Sequence, residues 1–408
     1  MAQKFALSTI FSEDGRVRMR PWFFAGLAAI AQGGCGAIVA LDRAVLGYDR
    51  TAAASTSKLL LLNVARARHN QPMHFTGVSS IAATYKFGFS AGIGPAITGN
   101  QGALLLPMLG GSVEKNPTIS IAPMQGDEFT QRLLTPFQEE KLTLLLRQGY
   151  DVDALLRLMG AEVRLDTANA DQAIAHLNRP SDKEGYQVYR RVIAHLSSIQ
   201  DRHALFVEPL RFEHSWTVPA DKVTPESYLE TFKDFLIVED KQQHTFRISK
   251  RISGRIIITN YNPSILPSEE QLRLHQEAEE ASSNDILLDI RAGHPGGEFP
   301  MHGRIRLRSF HEVLTFIGRG IEEEPEFDVA PDPRTPAISQ NPTKTLDIVE
   351  ASHAPSSELS VSHCGMHYFL AAERGYQWNR KAFSLLSQLF QMSVSALPQA
   401  GPAITISK

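Results

Sequence analysis

The chain has 408 residues, of which 43% are hydrophobic and 21% charged, a balance that suits one large or two ordinary folded domains and excludes wholesale disorder. A formal net charge of -3 and a pI near 6.5 leave no basic domain, so there is no electrostatic footprint for nucleic acid and no means of holding anionic lipid by charge alone. Two cysteines, Cys35 and Cys364, are too few for a disulfide framework.

At the start of the chain, Arg16, Arg18 and Arg20 precede an apolar run from Trp22 to Ala31, followed by Gln32-Gly33-Gly34-Cys35. A basic start, a short apolar core and small residues before a cut site form the pattern of a secretory signal. The run is well short of the ~20 residues that a membrane-spanning helix needs. Its end resembles the lipobox of bacterial lipoproteins, in which the cysteine is acylated and becomes the mature N-terminus; Gln32 stands where that box carries an aliphatic residue. On this reading residues 1–35 are a signal peptide beginning at Met1 or Met19, and Cys35 is the lipid attachment residue. Gly36, which is not acidic, then implies sorting to the outer membrane, facing the periplasm. The alternative is a buried N-terminal helix of a cytosolic protein.

Residues 36–56 read as a tether. Leu59, Leu60, Leu62, Asn63 and Ala67 give a helix over 57–69 one apolar face, and Pro72 blocks its extension. The period then changes from helical to two. Tyr85, Phe87, Phe89, Ala91 and Ile93 alternate with Thr84, Lys86, Gly88, Ser90, Gly92 and Gly94, which predicts a long strand with one apolar and one small or polar side. A second strand over 117–122 completes a candidate β-hairpin spanning 84–122, with Leu104-Leu105-Leu106 near its tip. Helices follow near 126–134, 137–147 and 152–159, then a strand at 161–165, a segment at 169–177 read with the helices, and a strongly amphipathic helix over 183–199. Strands are expected at 204–210, 235–238, 245–249, 255–260 and 286–290, and helices at 268–281, 309–318 and 379–396. Residues 322–345, rich in proline and acidic side chains, read as a loop or a disordered excursion.

Three segments resemble a group of uncharacterised proteobacterial proteins, often predicted to be lipoproteins. They are Leu59-Leu60-Leu61-Leu62-Asn63-Val64-Ala65-Arg66-Ala67-Arg68 with Val78-Ser79-Ser80-Ile81; Pro117-Thr118-Ile119-Ser120 with Pro123-Met124-Gln125-Gly126 and Leu133-Leu134-Thr135-Pro136; and the run from Lys381 to Phe390. The resemblance implies a shared fold and an envelope location. It implies no activity.

No motif assigns chemistry. Gly92-Ile93-Gly94 lacks the third glycine of a dinucleotide fingerprint, and no lysine-serine pair completes a P-loop. His363, Cys364 and His367 form the densest group of soft ligands, but two histidines four apart on a straight strand lie about 13 Å apart and cannot share one ion. Cys364 with His367 as base is a conceivable nucleophile pair, against the reading of an inert thiol. Asp285 and Asp289 read as solvated edge charges. Arg304, Arg306 and Arg308 read as an edge strand guarded by charge, with a phosphate-binding face as the alternative.

The expected fold class is α+β, with small mixed sheets, packed amphipathic helices and an N-terminal signal and lipid tether. An N-terminal α/β lobe (36–200) meets a C-terminal α+β lobe (201–408) near residues 200–230. The expected function is that of a non-enzymatic envelope lipoprotein, held at the membrane by its lipid and engaging protein partners or further copies of itself in an assembly. The alternatives are a ring-forming outer-membrane pore or export component using strands 84–94 and 117–122, and a periplasmic hydrolase. No catalytic, cofactor-binding or metal-binding residue is assigned.

Overall fold

A computed structural model describes residues 21–93, 107–166, 173–224, 235–354, 357, 359–372 and 377–393; for 21–44, 78–122, 212, 214 and 251 only the backbone is described. The fold is α+β. Arg16, Arg18, Arg20 and Leu104 to Leu106 lie outside the described residues. The chain divides into two compact units, Met1–Ser55 and Thr56–Lys408. Helix α1 (Pro21–Arg68) carries residues of both, and position 35 falls within it. The stretch 36–56, expected as a tether, is therefore helical. It is alanine-rich and free of proline, so nothing in it interrupts the helix that Leu59 to Arg68 continue. No helix among the described residues is long and apolar enough to cross a membrane.

In the second unit, the last turns of α1 bury Leu60, Leu61, Val64 and Ala65 on one stripe. They pack with α2 (Asp127–Leu134), α3 (Glu139–Arg147), α4 (Val152–Met159), α5 (Lys183–Asp201), α7 (Phe310–Arg319) and α8 (Trp378–Ser393) into the main core. Local signals fix the ends of several of these helices. The Asp182 side chain accepts a hydrogen bond from Gly185 N at the start of α5, and Ser309 with Glu312 forms a complete capping box on α7.

One face of a seven-stranded sheet backs this core, in the order β4 (Ile174–Leu177), β3 (Gly160–Leu165), β9 (Met301–Leu307), β8 (Asp285–Ile290), β7 (Thr245–Thr259) and β5 (Phe206–Pro219), with β6 (Leu236–Asp240) also on β7. Helix α6 (Ser268–Glu279) covers the other face. Strand alternation divides the apolar residues: Ile258, Ile286 and Leu288 join the main core, whereas Ile257 and Leu287 meet Leu210, Leu274 and Ala278 beneath α6. The two lobes expected on either side of residues 200–230 thus contribute strands to one sheet. Residues 174–177, read as helical, form its edge strand; a short segment beside an open sheet edge gains more from ladder hydrogen bonds than from one turn of helix. The arginine strand β9 is central, and Asp285 and Asp289 lie on its buried neighbour β8. Neither is an edge.

The segment 322–345 is irregular but tied down. Arg157 and Arg190, each nearly fully buried, donate to Asn341 Oδ1 and to the Pro342 carbonyl, and Arg190 also reaches Thr343 O. Glu326 accepts from the Tyr186 hydroxyl at 2.9 Å and from Thr345 N at 2.6 Å. Arg308 donates to the Asn178, Arg157 and Leu158 carbonyls, so its charge is spent inside the protein. Burial lowers Arg308 to about 10, which leaves it charged at neutral pH. Asp153 is the carboxylate beside Arg157, and its side chain is 3% exposed. Replacing it by asparagine strands a buried guanidinium, so Asp153→Asn is expected to lower unfolding free energy by about 3–5 kcal/mol in denaturant titration. Hydrogen exchange should rise across 326–345 in the same variant.

Candidate functional site

Strands β1 (Phe75–Ile93) and β2 (Pro107–Met124) pair antiparallel and, among the described residues, form a sheet of two strands only. The candidate hairpin is therefore present and is longer than the sequence pattern delimits. At ~3.3 Å per residue its strands run roughly 60 Å.

The register sorts its positions into two unlike faces. Ile81, Ala83, Tyr85, Phe87, Phe89, Ala91 and Ile93 are paired with Ile119, Pro117, Lys115, Val113, Gly111, Leu109 and Pro107, and these positions share one face. Ser80, Ala82, Thr84, Lys86, Gly88, Ser90 and Gly92 are paired with Ser120, Thr118, Asn116, Glu114, Ser112, Gly110 and Met108 on the other. The first face is apolar apart from Lys115. The second is small or polar apart from Met108, with Lys86 opposite Glu114. A register shift between Val78 and Ser80 separates this two-faced portion from the root.

The root is held firmly. Asn63 is fully buried on α1, and its amide donates to Leu59 O and His74 O while its oxygen accepts from His74 N at 2.8 Å. Arg66 adds bonds to Asn63 Oδ1 and His74 O. Phe75, the first strand residue, stacks on Phe390 with ring centroids 4.8 Å apart, and Phe129 and Phe310 flank it. The turn from helix to hairpin is thereby fixed by side chains that satisfy its backbone groups.

Cys364 and Gly365 are the turn between β11 (Ser360–His363) and β12 (Met366–Leu370), which pairs on its other side with β10 (Ile348–Ala351); both have positive φ, the backbone that a tight hairpin turn requires. His363 and His367 thus sit on opposing strands instead of one. His363 Nε2 bonds Gln71 Oε1 at 2.8 Å, and His353 bonds the neighbouring Ser352. The exposed Cys364 thiol has the Gln71 amide at 3.7 Å, a donor in the place where a nucleophile needs a base.

Strands β8 and β9 build a cluster that the sequence reading missed. Their antiparallel register sets Asp289 opposite His302 and Asp285 opposite Arg306. Arg306 pairs with Asp285 and Glu162. His302 Nδ1 lies 3.2 Å from Asp289 Oδ1, and its Nε2 lies 2.9 Å from Glu277 of α6 and 3.6 Å from Asp166 after β3. Asp289 is also bonded by the Tyr261 hydroxyl and by Arg291. Ligand atoms of Asp166, Glu277 and His302 all fall within 4.8 Å of one another, the one such group among the described residues. The missed signal was spacing: Asp285 and Asp289 are four apart, as are His302 and Arg306, which antiparallel neighbours bring into register.

No protein-family model, curated protein or solved structure matches this chain.

The two ionisable partners shift in opposite directions. Hydrogen bonds to Asp289 and Glu277 raise His302 from 6.5 to about 10. Burial would raise Asp289, but its bonds from His302 and Tyr261 and the Arg291 charge hold it down at about 2. The raised histidine stabilises the fold fully below pH 6.5, and that contribution fades as pH climbs toward 10. The depressed carboxylate contributes above pH ~4 and fades as pH falls toward 2. Urea titrations from pH 5 to 10 should show an alkaline loss of stability that His302→Gln flattens.

Proposed function

We propose that this protein is a membrane-inserting envelope component that assembles from identical copies into a ring, each copy giving the hairpin β1–β2 to a shared β-barrel. The observation that supports this most directly is the register of that hairpin, which divides it into an apolar and a small, polar face. A transmembrane barrel wall alternates in just this way, lipid side against lumen side. A water-exposed sheet covering its own core alternates too, but among the described residues this sheet has two strands and neither outer edge is paired.

Magnitudes agree with the reading. From Ile81 to Ile93 the apolar face extends about 40 Å at ~3.3 Å per residue, and a strand tilt of ~40° reduces that to about 30 Å along the membrane normal. This is the thickness of a bilayer's hydrocarbon core. A two-stranded hairpin is marginal in water, and inside lipid its open edges would leave backbone groups unsatisfied. Closure by neighbouring hairpins removes both problems, and one chain alone has too few strands to close. Export and lipid attachment at Cys35 belong to the same proposal and supply the delivery it needs.

In vesicles, a cysteine carrying an environment-sensitive dye at position 87 or 89 should report lipid, and one at 88 or 90 should report water, with Cys35 and Cys364 replaced beforehand. Phe87→Arg, near the middle of the apolar face, should abolish insertion through a cost of about 2–4 kcal/mol for a basic side chain at the bilayer midplane, whereas Ser90→Arg should be tolerated. Cross-linking should give closed oligomers. Equal dye response at all four positions, or a monomer throughout, would sink the proposal.

A further inference from the structure

We propose that Asp166, Glu277 and His302 bind a divalent transition-metal ion, Zn²⁺ being the best match to the donor set. The three residues come from three elements, the end of β3, helix α6 and strand β9, and their ligand atoms already converge within 4.8 Å. This is more than a collection of surface acids, because the imidazole is oriented. Asp289, 6% exposed, accepts from His302 Nδ1 and is itself fixed by Tyr261 and Arg291, so Nε2 is turned toward Glu277 and Asp166. A carboxylate behind a ligating histidine, setting tautomer and ring angle, is the usual outer partner of a metal-bound imidazole.

Charge points the same way. Arg291 is engaged by Asp289 and Glu270, and Arg304 donates to the Glu277 backbone carbonyl, so these guanidinium groups serve other acceptors. Among the described residues, the ion pairs of Asp166 and Glu277 are both with His302. A dication bound at Nε2 would neutralise both of those carboxylates. One nitrogen and two oxygens favour Zn²⁺ or a neighbouring first-row ion over Ca²⁺ and Mg²⁺, which take oxygen ligands alone. Asp166 is half-exposed, which leaves room for water to complete a tetrahedral shell. The bound ion would tie α6 to the sheet.

The test is Zn²⁺ titration of the full chain against a chromogenic chelator, with X-ray absorption on the loaded protein. One equivalent should bind in a shell of nitrogen and oxygen. Asp166→Asn and His302→Gln should each weaken it at least tenfold, and the positioning variant Asp289→Asn by about 10–100-fold. Asp166→Asn is the control against misfolding, since an exposed side chain can change without loss of the circular-dichroism spectrum. The protein has 14 histidines, so binding of equal strength in all the variants would mean that the ion sits elsewhere and would overturn the assignment. So would sulfur in the shell, or no binding by the unaltered chain.

Discussion

Two guanidinium groups buried beneath an irregular segment, with a third buried beside them, are the constraint on which the rest of this body depends. Taking an arginine out of water costs several kcal/mol unless its donors are all engaged and a counter-charge is near. Arg157 and Arg308 meet it with Asp153 and a set of backbone carbonyls, and Arg190 has Glu326 beside it and acceptors for both terminal nitrogens, while its buried Nε is left without a hydrogen-bond partner. Helices and strands have few carbonyls to spare, because their own ladders use them. A proline-rich stretch without ladders has many; Pro342 and Thr343 present theirs inward, and Asn341 adds its side-chain Oδ1. The segment is ordered by what it accepts.

That network is also the foundation of the hairpin. Arg157 lies over the Trp378 ring at 5.4 Å, and the Trp378 indole donates to Thr345 O, which sets the start of α8. Further along α8, Phe390 is the ring on which Phe75 stacks. A continuous path of packed side chains thus runs from the buried charges to the first residue of β1. Among the described residues, neither outer edge of the hairpin is paired with a further strand.

Cross-strand charge in the large sheet follows a separate rule. Acid and base positions four apart on β8 and β9 are brought face to face by antiparallel pairing, so carboxylates that look solvated in sequence become half of a buried ion-pair row. Local sequence holds the spacing but not the pairing of the two strands. The same gap explains the misreading of Arg304 to Arg308, whose alternation suits an edge strand and a central, salt-bridged strand equally well.

Periodicity alone marked the helices at 57–69, 137–147, 152–159 and 183–199, the first of them the end of the longer α1, and the two-sided character of the strand through Tyr85 to Ile93, because side-chain repeat is a local property of backbone geometry. It also held the sequence of the Ser309–Glu312 capping box. Tertiary structure decided what no window of sequence contains. It set β9 at the centre of the sheet, held residues 322–345 by buried arginines, turned Cys364 into a hairpin corner and gathered Asp166, Glu277 and His302 from three elements. Among the described residues it also left β1 and β2 without a third strand. Each of these depends on which distant backbone lies alongside, and that is settled by the global balance of burial against unpaired hydrogen bonds.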